Sequence, residues 1–257
     1  MYEQITSNKR RSVLLVLAFV VVLVAATWAL NLLIGYGVAG VIVALVLAGA
    51  AALASYWKAD AVALALSHAR PADPVEYARL HNIVEGLCIA GGLPKPRVYV
   101  IDDAAPNAFA TGRNPRHAAV AVTTGLLENM TRVELEGVIA HELSHVKNYD
   151  ILVSTLAVTL VGIVVPPLVQ LAVSRRRESL ADVSGVALTR YPPGLTSALE
   201  KLQAHTAVVR SSSRATAHLW IESPIARRPG EGRSSWLNRL FDTHPPLDER
   251  IKALREL

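Results

Sequence analysis

Cysteine occurs once in this 257-residue chain, at Cys88, and a single thiol excludes an intramolecular disulfide framework. So sparing a use suits a reducing compartment, and Cys88 reads as a small apolar residue buried on a helix, not a catalytic thiol. Charge is scarce as well: Asp, Glu, Lys and Arg make up 18% of the residues against 52% hydrophobic. Between Ser12 and Trp57 there is none at all. Internal repeats and long low-complexity tracts are also missing, which excludes a solenoid or a disordered tail of any size. The net charge is +5, yet the Lys and Arg residues are scattered or sit beside apolar runs, as in Arg175-Arg176-Arg177. With no nucleic-acid-binding motif to accompany them, an anionic lipid surface is the simpler partner.

What is there begins with the uncharged run, which breaks near Asn31 and the Gly35-Tyr36-Gly37 turn into two apolar stretches. Each approaches the ~20 residues that cross a bilayer as a helix. A cleaved secretory signal would have a shorter apolar core followed by polar sequence, whereas here a second stretch follows at once. The pattern predicts a membrane-anchoring helical hairpin over residues 1–70. Lys9, Arg10 and Arg11 precede the first span and Lys58 follows the second, so the positive-inside bias puts both ends in the cytoplasm. Residues 71–257 then begin on the cytoplasmic face.

In that portion, residues 73–92 carry apolar side chains at helical spacing between an Asp-Pro start and a Gly-Gly stop. Residues 96–102 and 117–123 read as two short strands enclosing a loop with Gly and Asn. Thr131 and Glu134 make a capping box, and Val133, Leu135, Val138 and Ile139 supply a buried stripe, so a helix runs from about residue 132 onward. Residues 192–205 read as a further helix, 227–235 as a mobile loop and 245–257 as a charged terminal helix. The fold class is therefore predominantly α with a small β-sheet.

The stretch His-Glu-Leu-Ser-His, residues 141–145, lies on the capped helix. Positions four apart project from one face, so His141 and His145 can present ring nitrogens to one ion. Glu142, rotated by about 100°, can reach a water on that ion without binding the metal itself. This is the arrangement of a zinc hydrolase: the ion acidifies the water, Glu142 takes its proton, and the water attacks a peptide carbonyl. Zinc catalysis uses three protein ligands and one open position. Glu178, Asp182, His205, His218 and His244 are the candidates for the third. Glu178 and Asp182, four apart on a predicted helix, stand out.

The chain resembles the HtpX-type membrane zinc proteases, relatives of the Ste-type CAAX prenyl proteases, through the hairpin, 107–112 (NAFATG), 141–145 (HELSH), 174–182 (SRRRESLAD) and 243–251 (THPPLDERI). The resemblance implies a zincin-like α+β domain over 71–257 and one zinc per chain on His141, His145 and Glu178. It also implies Glu142 as catalytic base and Asp182 as the acceptor that supports the site. Asn107 would lie on an edge strand that holds substrate backbone, and His244 and Arg250 would face the developing oxyanion. His68, His81, His117, His205 and His218 match nothing in the pattern. The implied function is an endopeptidase of the bacterial inner membrane that removes misfolded or damaged membrane proteins, its active site facing the cytoplasm. The alternatives are a CAAX-type prenyl protease, for which the spans are too few to build a chamber, and a catalytically inactive membrane scaffold.

One departure bears on topology. The family pattern has two membrane spans between the His-Glu-x-x-His helix and the third ligand, whereas this chain has a single apolar run, 151–173. One straight crossing would leave His145 and Glu178 on opposite faces of the bilayer. Either the run bends back on itself, with Pro166-Pro167 as the bend, or no metal site exists. The first reading predicts a shallow hairpin insertion and two full spans, not four.

Overall fold

The computed structural model describes residues 2–35, 37–161, 175–205, 209, 216–222 and 245–257. Two long helices, α1 (Tyr2–Ile34) and α2 (Gly37–Leu66), pack against each other. Both contain stretches long and apolar enough to cross a membrane, Ile5–Ile34 and Gly37–Ala54. The turn between them opens on Gly35, which takes a left-handed φ of 74° while its amide donates to the Asn31 carbonyl. A left-handed residue ends a helix at low cost only when it lacks a Cβ.

The second helix does not stop where its membrane stretch does. It continues past Lys58, and Ala63 and Leu64 pack with Ile101, Phe109, Ala119 and Ala121 on one face of a sheet. Anchor and catalytic portion therefore share one continuous helix.

That sheet has four strands, β1 (Arg70–Pro71), β2 (Arg97–Ile101), β3 (Ala108–Gly112) and β4 (Ala118–Thr123), in the order β1-β2-β4-β3. Parallel pairing joins β2 to β4, with Val98 opposite Val120, and β3 runs antiparallel to β4 with Phe109 opposite Ala121. The predicted loop between residues 102 and 117 thus contains an edge strand. Its sequence, Ala-Phe-Ala-Thr-Gly, is buried at all five positions. Burial on both faces removes the polar alternation that would mark a half-exposed strand.

On the second face lie α3 (Ala78–Gly91), α5 (Arg132–Lys147) and α8 (Pro192–Ala204), sharing a core with Val98, Val100, Val120 and Val122. A short helix, α4 (Thr124–Asn129), leads from β4 into α5. The helix predicted over 73–92 begins later than its Asp-Pro start, at Ala78. The Asp73 carboxylate instead accepts the amides of Val75 and Glu76 at 2.8 and 2.9 Å in a preceding turn. The capping box is present: Thr131 Oγ1 accepts from the Glu134 amide and Glu134 Oε2 accepts from the Thr131 amide. Leu135, Val138, Ile139 and Leu143 are completely buried; each contributes about 1.5–3 kcal/mol on leaving water.

After α5 the chain turns sharply through Tyr149, at a left-handed φ of 60°, and leaves along α6 (Asp150–Val161). Leu152 and Leu156 of α6 pack on Phe19 of α1 and, with it, on Ala52 and Tyr56 of α2. The described chain resumes with α7 (Arg175–Thr189), and Arg177 lies back at the start of α6, donating to Ser154 Oγ at 3.0 Å. Departure and return are therefore on the same side. The Pro166-Pro167 bend and the 227–235 loop lie outside the described residues. A terminal helix, α9 (Leu247–Arg255), packs on α8.

Candidate metal centre

Two helices bring the centre together. The middle of α5 carries His141 and His145 one turn apart, and α7 crosses it with Glu178 in its first turn. Gly185 makes the crossing close: a Cβ there would lie 3.0 Å from the His141 amide nitrogen. One ligand atom from each of His141, His145 and Glu178 falls within 4.8 Å of the other two. The Nε2 atoms of the histidines are 3.2 Å apart, and Glu178 oxygens lie 3.6 Å from His141 Nε2 and 3.7 Å from His145 Nε2.

Each imidazole is held from behind by a carboxylate. Nδ1 of His141 is 2.8 Å from Asp182 Oδ1, and Nδ1 of His145 is 3.0 Å from Asp150 Oδ2. A proton held on each Nδ1 leaves both Nε2 lone pairs aimed at the same point. Two such lone pairs repel unless positive charge lies between them. Ligands ~2.0–2.1 Å from a tetrahedral ion stand about 3.3 Å apart, close to the separations found here. Two imidazoles and a carboxylate, so arranged, fit a divalent cation such as zinc.

Negative charge gathers around His141, as a site for a cation requires. Burial alone would push its imidazole down, but its hydrogen bond to Asp182, the charge of Asp182 and a hydrogen bond to Glu178 raise it to about 9. Burial works against the Asp182 carboxylate as well, and Arg250 and His141 overcome it, lowering Asp182 to about 2. Glu142 is raised, chiefly because burial disfavours its charge. That carboxylate lines a cavity of about 20 Å³ together with His145, Glu178 and Ala110 of β3, enough for one water.

The remaining sequence-derived residues take these positions. Arg250, expected opposite the ion, is buried behind His141: its Nε and Nη2 donate to Asp182 at 2.9 and 2.7 Å, and Nη1 donates to the Ile221 carbonyl at 3.1 Å. Asn107, expected to hold substrate backbone, makes that kind of contact with the chain itself. Its Nδ2 donates to the Glu222 carbonyl at 3.0 Å and its Oδ1 accepts from the Glu222 amide at 3.4 Å. Beside it, Trp220 bridges Phe109 and the Ile221 amide donates to the Ala108 carbonyl at 3.0 Å, so 220–222 flanks the outer edge of β3. His244 lies outside the described residues. His68, His117 and His205 are exposed, His81 is half-buried on the Ala72 carbonyl, and Cys88 is buried, its thiol pushed up to about 11 by burial.

Sequence reasoning gave no role here to Asp150, Asn8 or Arg177, and it set His218 aside. Asp150 is the partner of His145, and Asn8 of α1 donates to it at 2.6 Å, while Arg177 Nε lies 3.6 Å away. His218, set aside as unmatched, lines the cavity with Nε2 3.0 Å from the Ser154 carbonyl. Asp150 lies five residues after His145, immediately before the apolar run, and an acidic residue at the start of such a helix was the available signal. Nothing local marks Arg177 or His218.

A His-Glu-x-x-His helix, a crossing carboxylate and a neighbouring sheet edge define a metallopeptidase, here one with two membrane-length helices. The chain belongs to peptidase family M48, whose profile matches residues 74–165 and 155–257. It is similar over its whole length to proteases described as HtpX homologs. That of Tropheryma whipplei is 40% identical over 297 residues, with 98% of the relative covered. Those of Thermoanaerobacter pseudethanolicus and Lactobacillus helveticus are each 38% identical, over 301 and 307 residues, with 98% and 100% covered. These alignments are longer than this chain, so the relatives carry segments it lacks. The two profile matches meet at 155–165, inside the short apolar run.

Proposed function

We propose that this membrane metalloprotease, which acts on polypeptides, is a zinc endopeptidase holding one ion on His141, His145 and Glu178, with Glu142 as its base. The observation that carries this is the paired clamp: each Nδ1 is fixed by its own carboxylate, so both Nε2 atoms converge on Glu178. A zinc ion held by His141, His145 and Glu178 would supply Lewis acidity toward a water and the scissile carbonyl. Glu142, buried beside space for one water, is placed to take a proton from the attacking water and to deliver it to the departing amine. Burial disfavours the charge of the Glu142 carboxylate and so raises its pKa. Asp182 and Asp150 fix the imidazoles, and Arg250 keeps Asp182 ionised and in place.

An extended polypeptide would lie along the outer edge of β3, where Ala110 borders the cavity. Its admission requires 220–222 to part from Ala108 and Phe109. A centre this close to the membrane helices suits substrates presented as unfolded segments of membrane proteins, and quality control at the cytoplasmic face of the inner membrane is the role we assign. In detergent-purified protein, Glu142→Gln is expected to retain one zinc per chain and lose casein cleavage, and a chelator to abolish cleavage by the unaltered protein. Cleavage undiminished in Glu142→Gln would end the proposal.

A further inference from the structure

A second cavity, of about 460 Å³, opens where α1, α2, α6 and the loop after β3 meet. That volume is in the range of a ligand pocket, and its walls divide by chemistry. Lys9 and Arg113 both line it, and none of the lining residues is acidic. Each cation rests on an aromatic ring: Lys9 Nζ lies 4.8 Å from the centre of Tyr149, and the Arg113 guanidinium 4.6 Å from that of Trp57. Among the described residues neither makes an ion pair, so both charges remain available to an anion.

Most of the remaining wall is apolar. Val13 and Leu17 follow Lys9 at intervals of four along one face of α1 and are 59% and 54% exposed. On α6, Leu152 and Leu156 repeat the same interval; they are 8% and 2% exposed, largely covered by Phe19, and border the cavity where α1 and α6 pack. From Lys9 to Leu17 the helix rises about 12 Å, from the Lys9-Arg10-Arg11 cluster into the charge-free run that begins at Ser12. Cations at the interface with an apolar groove leading inward match an anionic head joined to an acyl chain. A zwitterionic lipid would bring its own cation against Lys9 and Arg113. A free phosphate would leave the apolar groove unfilled.

We propose that this cavity is a binding site for one anionic phospholipid, its phosphate between Lys9 and Arg113 and one acyl chain along Val13, Leu17, Leu152 and Leu156. The lipid fills the junction between the hairpin and the catalytic portion. The proposal rests on the membrane anchor and is independent of the peptidase reaction.

The test is native mass spectrometry of the full chain in detergent, exchanged with phosphatidylglycerol or phosphatidylcholine. The expected result is one phosphatidylglycerol retained and phosphatidylcholine lost. Lys9→Gln with Arg113→Gln should bind phosphatidylglycerol about thirty-fold more weakly, the loss expected for two interfacial basic residues. Arg10→Gln with Lys58→Gln, which removes equal charge near the same end but outside the cavity, should change binding less than threefold. Equal retention of both lipids, equal losses in the two double variants, or displacement by millimolar inorganic phosphate would each overturn the proposal. Should the first double variant misfold, Leu17→Trp, which keeps both cations and fills the groove, must lose the lipid; retention there would equally refute it.

Discussion

Replacing Asp150 by Asn tests whether the centre depends on a residue outside the family motifs. The change is isosteric and removes one charge. In the protein, Oδ2 of Asp150 faces His145 Nδ1 at 3.0 Å while Oδ1 accepts from Asn8 Nδ2 at 2.6 Å, with Arg177 Nε at 3.6 Å. All three neighbours present N–H groups, which a carboxylate satisfies on both sides. An amide has one oxygen, so its NH2 must face either the imidazole or Asn8 and Arg177, and one donor always meets another. If the amide turns its NH2 toward His145, the preferred tautomer reverses and Nε2 carries the proton in place of a ligand lone pair. Loss of such a supporting partner costs 10–100-fold in metal affinity, or about 1.4–2.7 kcal/mol. The assay is zinc competition against a chromophoric chelator on folded, purified protein, with a melting curve to confirm folding. Unchanged zinc affinity in a folded Asp150→Asn protein would refute the reasoning.

Other outcomes follow from the same geometry. Gly185→Ala drives a Cβ to within 3.0 Å of His141 N and 3.2 Å of the Ala140 carbonyl carbon, pushing α7 from α5; melting should show a loss of about 1–3 kcal/mol and chelator competition weaker zinc binding, whereas a wild-type profile in both would contradict the close crossing. Glu134→Gln should cost about 1 kcal/mol by weakening the α5 cap. Because Lys201, Ser197 and Thr131 hold Glu134 at about 2 against burial, below its ordinary 4.5, its contribution is full above pH 4.5 and disappears as pH falls toward 2; denaturant titrations of both proteins should converge over that window. With Cys88→Ser as background, Lys147→Cys and Ser179→Cys should react with an impermeant maleimide from one side of the membrane, and Ile34→Cys from the other. Labelling of 147 and 179 from opposite sides would contradict the returning path of α6 and α7.

Much of the architecture was legible because it obeys local rules. Freedom from charge over 12–57 marks the hairpin, Thr131 and Glu134 mark where α5 starts, and the i, i+4 histidines mark a face able to take a metal. Only the family resemblance pointed to the edge strand: Ala108–Gly112 is buried on both sides and has no alternation, so its own pattern reads as a loop. That α2 reaches into the catalytic core was hidden too, since residues 1–70 read as an anchor alone and Lys58 only as the residue after its second span. The expectations for Asn107 and Arg250 followed motif position, while their side chains are bound by Glu222 and by Asp182 with Ile221.

The sequence by itself determined the pair of membrane helices, the helix bearing His141, Glu142 and His145, and the short list from which Glu178 comes, because each is set by neighbours within a turn or two. Only the tertiary structure decided that residues 141 and 178 meet, that Asp150 stands behind His145, and that the chain leaving along α6 has returned by Arg177. Such contacts join positions tens of residues apart, and no local period records them. They exist because the crossing of α5 with α7, closed at Gly185, and the packing of α6 on the hairpin leave the apolar surfaces nowhere else to be buried.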